Sequence, residues 1–263
     1  MADSTSIYAK PMNVEGADGC NFYHVMELPG LGLVGQRDIG WDLRSTIDTY
    51  LGEVEFKGKR ALDVGAASGY LTFEMERRGA DVVSIDLSDP DKWDLVPFAN
   101  PAFDATSVRQ KYRSLVQGRI RAYWLAHRLL GSRARAYYGD VYSLPDALGP
   151  VDIAVLGMVL GHVRDPFAAL QSVTRLVRET VVITEQAPQI EGAYAHFMPD
   201  PDGKGVDNAW WATSEDCRRR MLGVLGFEEV RLRRLEHYSQ FLGRGEVCST
   251  QVFNRVYPVP AAV

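Results

Sequence analysis

Two carboxylates and a small-residue turn carry the clearest chemistry in the sequence. Asp63 ends an apolar run, and the turn "GAASG" follows at residues 65–69. Gly65 and Gly69 permit tight backbone geometry that a Cβ would obstruct. Ala67 and Ser68 are small enough for a ligand to lie close to the main chain. Asp63 can accept from an amine or an ordered water. Asp86 ends a second apolar run, 23 residues further on. A carboxylate there suits a ribose diol, because it can accept from both hydroxyls. A dinucleotide loop would need glycine at 65, 67 and 70, where this chain has Gly65, Ala67 and Tyr70. The glycine that admits a pyrophosphate is missing, and so is the one that lets helix and strand pack closely. The pattern favours a ribose-bearing ligand without pyrophosphate.

Such a turn works only if a sheet holds it. Apolar runs at 60–65, 81–87, 135–141, 151–158 and 180–186 alternate with helical patterns. Four of the five are near-continuous Val/Ile/Leu/Ala stretches, as expected of parallel strands covered by helices on both faces. Helices are expected at 71–78, 165–177 and 213–225, the last opening on Thr213 or Ser214 as N-cap and stopping at Gly226. Runs at 227–235 and 246–257 could close the sheet as an antiparallel hairpin. The expected fold is α/β: a Rossmann-like seven-stranded sheet, mostly parallel, with an antiparallel C-terminal hairpin and helices on both faces. Three regions exceed what the sheet needs. Residues 1–58 read as an N-terminal helical cap or lid, with a helical piece near 41–51; they could cover the site or support a homodimer. Residues 59–263 form the main domain, with a helical insertion at 88–132 and a lid segment at 187–212. Ligands bind beyond the carboxyl ends of strands in open α/β sheets, so these segments are natural walls.

The stretch "ALDVGAASGYLTFEMERRGADVVSIDL" resembles the first two motifs of class I S-adenosylmethionine-dependent methyltransferases. "VDIAVLGMVLGHVRDPFAAL" is similar to the fourth-strand motif of their small-molecule members. The likeness covers roughly 58–186 and fades toward 235. It implies S-adenosyl-L-methionine as cofactor, with Gly65, Ala67 and Gly69 along the methionine moiety and Asp63 near its amino group. Asp86 would bind the ribose and Leu87 would pack on the adenine. Asp140 and Val141 would address the adenine edge, and Gly157 and Met158 would face the methyl donor. Ala67 departs from the family glycine, which bears on how closely the methionine end approaches. Plainer roles stay open: Asp140 as a turn cap, Met158 as core.

Methyl transfer from a sulfonium needs alignment first, and a base only when the acceptor keeps a proton. His162 follows the fourth strand, and its ordinary pKa of about 6.5 suits a base; the alternative is a histidine that starts a helix and bonds a backbone group. His196, in the lid segment, is a second candidate or a surface residue. Cys20 and His24 are too sparse for a metal site, and no metal is expected.

Residues 109–138 interleave arginine with aromatics. They read as a lid over a small anionic or aromatic acceptor lined by Tyr112, Tyr123 and Trp124, or as an RNA platform. Trp210 and Trp211 add a tryptophan-rich lid. "GHVRDPFAAL" and "NAWWATSEDCRRRMLGVLGFEEV" are also similar to parts of the tRNA wobble-uridine carboxymethyltransferase family. Residues 107–139 hold eight Arg/Lys and no Asp/Glu, yet the whole chain carries 29 basic against 34 acidic residues. That acidic balance argues against a large phosphate footprint. A small acceptor, such as an intermediate of specialised metabolism, is therefore the favoured partner, with the tRNA enzyme and a non-catalytic cofactor-binding module as alternatives. No apolar run approaches the ~18 residues of a membrane span, no secretory signal opens the chain, and three scattered cysteines fit free thiols in the cytoplasm.

Overall fold

The structure, a computed structural model, describes residues 6–36, 40–188, 191–203, 207–239 and 244–258. Parts of the N-terminal segment (1–5, 37–39) and of the lid segment (189–190, 204–206) fall outside the described residues. In chain order the elements are β1 (Met26–Leu28), β2 (Gly32–Val34), β3 (Trp41–Asp42), α1 (Ile47–Tyr50), β4 (Arg60–Val64), α2 (Tyr70–Arg77), β5 (Asp81–Asp86), α3 (Ala105–Leu130), β6 (Arg135–Tyr138), β7 (Val151–Gly157), α4 (Pro166–Thr174), β8 (Val177–Gln186), β9 (Ala195–Phe197), β10 (Trp211–Thr213), α5 (Glu215–Val224), β11 (Phe227–Ser239) and β12 (Arg244–Arg255).

The main sheet runs in the order β3-β11-β12-β8-β7-β4-β5-β6. From β8 to β6 the pairs are parallel; β12 is antiparallel to β8 and β11. The strand order reverses at β4, the strand that feeds the small-residue turn. The sheet has eight strands, not seven, because β3 adds an edge pair to β11 through Asp42 and Tyr238. β3 lies where a helix near 41–51 is expected, and only the single turn α1 forms there. The rest of the described N-terminal segment is a hairpin and irregular chain rather than a helical cap.

Period-two geometry explains the continuous apolar strands. Ala61, Val82, Ile153, Val155 and Val182 point into one core, which α2, α3 and the N-terminal segment cover. Their neighbours Leu62, Val83, Ala154, Leu156, Val181 and Ile183 point into the other, under α4 and α5. Each fully buried Val, Leu or Ile contributes about 1.5–3 kcal/mol, so a charge at Val155 would break this layer.

The helix ends follow local chemistry. The Asp104 carboxylate accepts from the Thr106 and Ser107 N–H groups at the start of α3, and Gly131 ends that helix with a left-handed φ of 61°. Asp165 caps α4 ahead of Pro166, and the Ser214 hydroxyl caps α5. A proline at the first helical position loses no bond. Helix α3 stops at Leu130, so the run 109–138 is helix and then strand.

The two insertions fasten to each other above the strand ends. The Val96 N–H donates to the Asp207 carbonyl at 3.0 Å. The Trp210 indole donates to the Asp94 carbonyl at 2.7 Å. Among the described residues, no helix is long and apolar enough to cross a membrane.

Candidate functional site

A cavity of about 390 Å³ opens at the carboxyl ends of β4, β5, β6 and β7, within the ~300–1,000 Å³ of small-molecule sites. Its floor is the turn after β4. Gly65 has a φ of 79°, and a Cβ there would sit 2.8 Å from a Val159 methyl. Ala67 has a φ of 50°, the left-handed region that costs an L-residue roughly 1–2 kcal/mol. The fold holds it there through Asp86. One Asp86 oxygen accepts the Ala67 N–H at 2.6 Å, and the other accepts the Leu87 N–H at 2.7 Å. Burial raises the Asp86 carboxyl above its ordinary value, opposed by these two bonds and by nearby Arg119.

Nine sequence-predicted residues border this cavity: Gly65, Ala67, Asp86, Leu87, Asp140, Val141, Gly157, Met158 and His162. Asp140 also caps the turn after β6 by accepting the Tyr142 N–H at 2.8 Å. Asp63 and Gly69 do not border it. Asp63 is fully buried beneath the turn. One of its oxygens accepts the Thr72 hydroxyl at 2.5 Å, and the other has no hydrogen-bond partner among the described residues. Burial pushes the Asp63 carboxyl up to about 7. Gly69 starts α2 with a φ of 90°.

Beyond β7 the chain turns sharply through Met158, at a φ of 57°. Glu185 on β8 pins this turn by accepting the Leu160 N–H at 2.6 Å. Burial pushes its carboxyl up to about 7, against the opposing charge of buried Arg218. His162 sits in this turn and not in a helix. Its Nδ1 lies 2.7 Å from the Asn208 carbonyl. A carbonyl only accepts, so Nδ1 carries the proton and Nε2 keeps the lone pair in the neutral ring. Burial lowers the His162 pKa, which favours that neutral form.

The remaining wall comes from distant segments. Tyr23, Trp41, Trp93, Arg119 and Asn208 all line the cavity, and the sequence reading singled out none of them. Arg119 lies within the basic, aromatic run already noted; Tyr23 and Trp41 carry no signal, because only tertiary folding brings them here. The Tyr23 N–H donates to the Ser68 hydroxyl at 3.0 Å, which ties the N-terminal segment to the turn.

The residues expected to line the acceptor fall elsewhere. Tyr112 faces Trp93 and donates to Asp207 at 2.5 Å. Tyr123 and Trp124 pack into the core, with Tyr123 bonded to Ser84 at 2.9 Å. Trp210 and Trp211 stand behind the wall, where Trp211 donates to the Arg164 carbonyl at 2.9 Å. His196 is exposed on β9, opposite Ala212. Aromatics at helical spacing on α3 filled the core, and the lid tryptophans lock segments together. Among the described residues, no group of three or more His, Cys, Asp or Glu could hold a metal ion.

With this geometry in view, comparison with known proteins gives a consistent family. A family model described as "Methyltransferase domain" matches residues 37–222. No curated protein sequence matches the chain. Among solved structures, the fold is similar to a magnesium protoporphyrin IX methyltransferase from Synechocystis with bound S-adenosylhomocysteine (16% identity, 81% of each chain, TM-score 0.52). It is similar to an S-adenosylmethionine-dependent methyltransferase from Methanosarcina mazei (17% identity, 82% of this chain and 99% of that one, TM-score 0.54). It is also similar to a 1,6-didemethyltoxoflavin-N1-methyltransferase from Burkholderia thailandensis, bound to 1,6-didemethyltoxoflavin and S-adenosylhomocysteine (16% identity, 81% and 76%, TM-score 0.51).

Proposed function

The chain belongs to the methyltransferase-domain family, and from that premise we propose that it methylates a small-molecule acceptor in the cavity above β4–β7. It is an S-adenosylmethionine-dependent enzyme. The residues fit that cofactor. The turn at 65–67 leaves open main chain beside the cavity, Asp86 stands at the end of β5, and both border one space of suitable size. The cofactor supplies a sulfonium methyl group already activated for displacement.

The protein's own residues do the rest. Asp86 would hold the ribose diol, Leu87 and Val141 the adenine, and Gly65 and Ala67 the methionine end. Gly157 and Met158 lie at the end of β7, beside the turn that carries His162. His162 would take the acceptor proton at Nε2 while Asn208 holds Nδ1–H. Trp93 and Asn208 of the insertions wall the cavity, and alignment would supply much of the rate.

The observation that carries a small acceptor is the size and lining of the cavity: at about 390 Å³ it is bordered by the rings of Tyr23, Trp41 and Trp93 beside the strand-end residues. The basic face of α3 is also engaged with its own chain. Arg128 donates to the Val14 carbonyl at 2.8 Å, Arg121 to the Asp18 carbonyl at 3.1 Å, and Arg113 pairs with Asp91. An RNA platform would keep such arginines for phosphates. The toxoflavin enzyme among the similar structures is crystallised with a small heterocycle, which agrees with this reading.

The test uses donor carrying a labelled methyl group, offered with a panel of small aromatic acids and, separately, with bulk tRNA. Label entering the small-molecule fraction is the expected result. Label entering tRNA, with none in the small-molecule fraction, would establish the RNA-modifying alternative.

A further inference from the structure

We propose that Arg119 captures an anionic group of the acceptor, so that the substrate is a planar molecule carrying a carboxylate. This rests on the reading of the cavity as a methyl-transfer site and specifies its substrate class. Arg119 reaches the cavity from the middle of α3. Its guanidinium lies 4.8 Å from the Tyr23 ring centroid and 5.4 Å from that of Trp93. Its Nε is buried and has no hydrogen-bond partner among the described residues.

The neighbours show how unusual that is. Arg113 on the same helix has Asp91, and Arg164 in the turn after β7 has Asp94. Four carboxylates border the cavity, and each is held by another group. Asp86 takes two backbone N–H groups. Asp94 takes the Tyr142 hydroxyl and the Arg164 N–H. Asp140 takes the Tyr142 N–H. Glu246 takes the Gln186 amide at 2.9 Å. Arg119 makes no direct ion pair with any of them, and its charge acts only at longer range, on Asp86.

A half-buried guanidinium set against aromatic rings with no carboxylate in direct contact, and with a buried Nε that has no acceptor, is an incomplete site for an anion. Ring contacts recover a part, about 0.5–2 kcal/mol. An incoming carboxylate completes the pair bidentately, in the geometry a guanidinium fork prefers. The same rings then offer faces for a flat acceptor. Lys92 also lines the cavity and adds positive charge on the same side.

The experiment titrates the full chain, saturated with S-adenosylhomocysteine, with para-hydroxybenzoate and its neutral isostere para-hydroxybenzamide. The acid should bind at least about tenfold tighter. Arg119→Gln should erase that ratio while leaving S-adenosylhomocysteine affinity within about twofold of wild type, which also reports that the variant is folded. Arg119→Lys keeps the charge without the fork, and should fall between them. Equal binding of the two probes, including none by either at millimolar concentration, overturns the proposal. So does a ratio that survives Arg119→Gln. If the substitution weakens S-adenosylhomocysteine but spares methylthioadenosine, which lacks the amino-acid end, Arg119 serves the cofactor carboxylate and the proposal is wrong. Failure of the wild-type chain to bind S-adenosylhomocysteine removes the underlying methyl-transfer reading instead.

Discussion

The two halves of the cavity are built by different means. The half proposed to hold the cofactor is made of residues at four strand ends: Gly65 and Ala67 after β4, Asp86 and Leu87 after β5, Asp140 and Val141 after β6, and Gly157 and Met158 after β7. Its geometry comes from backbone angles and short-range bonds, such as Asp86 to the Ala67 N–H. The half proposed to hold the acceptor is collected from Tyr23, Trp41, Trp93, Arg119 and Asn208, which lie on five separate segments. Rings and long side chains shape it, and contacts such as Trp210 to Asp94 hold it together. A half built on strand ends suits the one cofactor that a family shares. The other can change with every acceptor because four of its five residues lie outside the sheet, with only Trp41 on edge strand β3.

Single substitutions act on one half and spare the other. His162→Gln has the largest expected effect: if His162 is a general base, kcat falls by roughly 10²–10⁴-fold. Affinity for S-adenosylhomocysteine should stay unchanged, because His162 is proposed to act on the acceptor and not to hold the cofactor. The pH profile gives an independent reading. Burial lowers the His162 pKa from its ordinary 6.5, so the ring stays neutral to lower pH than free imidazole. Activity should be lost only as pH falls through that lowered value, and the glutamine variant should lack this acid limb. An unchanged kcat would leave alignment alone as the source of rate.

Asp86→Ala comes next, acting on the other half. It removes the ribose acceptor and leaves the Ala67 and Leu87 N–H groups without their partner. The expected loss is about 2–3 kcal/mol, on the order of 100-fold in S-adenosylhomocysteine affinity by calorimetry. Wild-type affinity in this variant would refute the ribose assignment.

Asp63→Asn probes what lies beneath the turn. The folded carboxyl is raised from 3.8 to about 7. The stability contributed by its protonated form is therefore complete below the unfolded value and is lost as pH rises through about 7. Denaturant unfolding should show wild type losing stability relative to Asp63→Asn between pH 4 and pH 8, as the two pKa values just cited bracket. A pH-independent difference would mean that Asp63 is not buried as described. Ala67→Gly is the smallest change. It relieves left-handed strain of about 1 kcal/mol, partly offset by the extra freedom of an unfolded glycine. A stability gain of up to about 1 kcal/mol is expected, and a clear loss would show that the Ala67 methyl packs usefully.

The same division decides what could be read from the sequence. Strands β4, β5, β7 and β8 stood out because apolar side chains on both faces leave an unbroken run. Asp86 stood out because an acid ends so apolar a strand. Those signals are local, and so is the chemistry they carry. Strand β3 did not stand out, since Trp41–Asp42 pairs with the far end of β11 and two residues carry no period. The aromatics of α3 misled for a physical reason: Tyr123 and Trp124 suit a core as well as a pocket, and the helix register turned them inward. Arg119, on the same helix, faces the cavity instead. Nor could the sequence connect Glu185 with the His162 turn, because the bond to the Leu160 N–H spans two strands.

The most direct test of the central claim is a crystal structure of the full chain with S-adenosylhomocysteine. Ribose density is expected against Asp86, the adenine between Leu87 and Val141, and the sulfur on the side of Met158 and His162. Density for the ligand outside the β4–β7 strand ends, or a ribose turned away from Asp86, would contradict it.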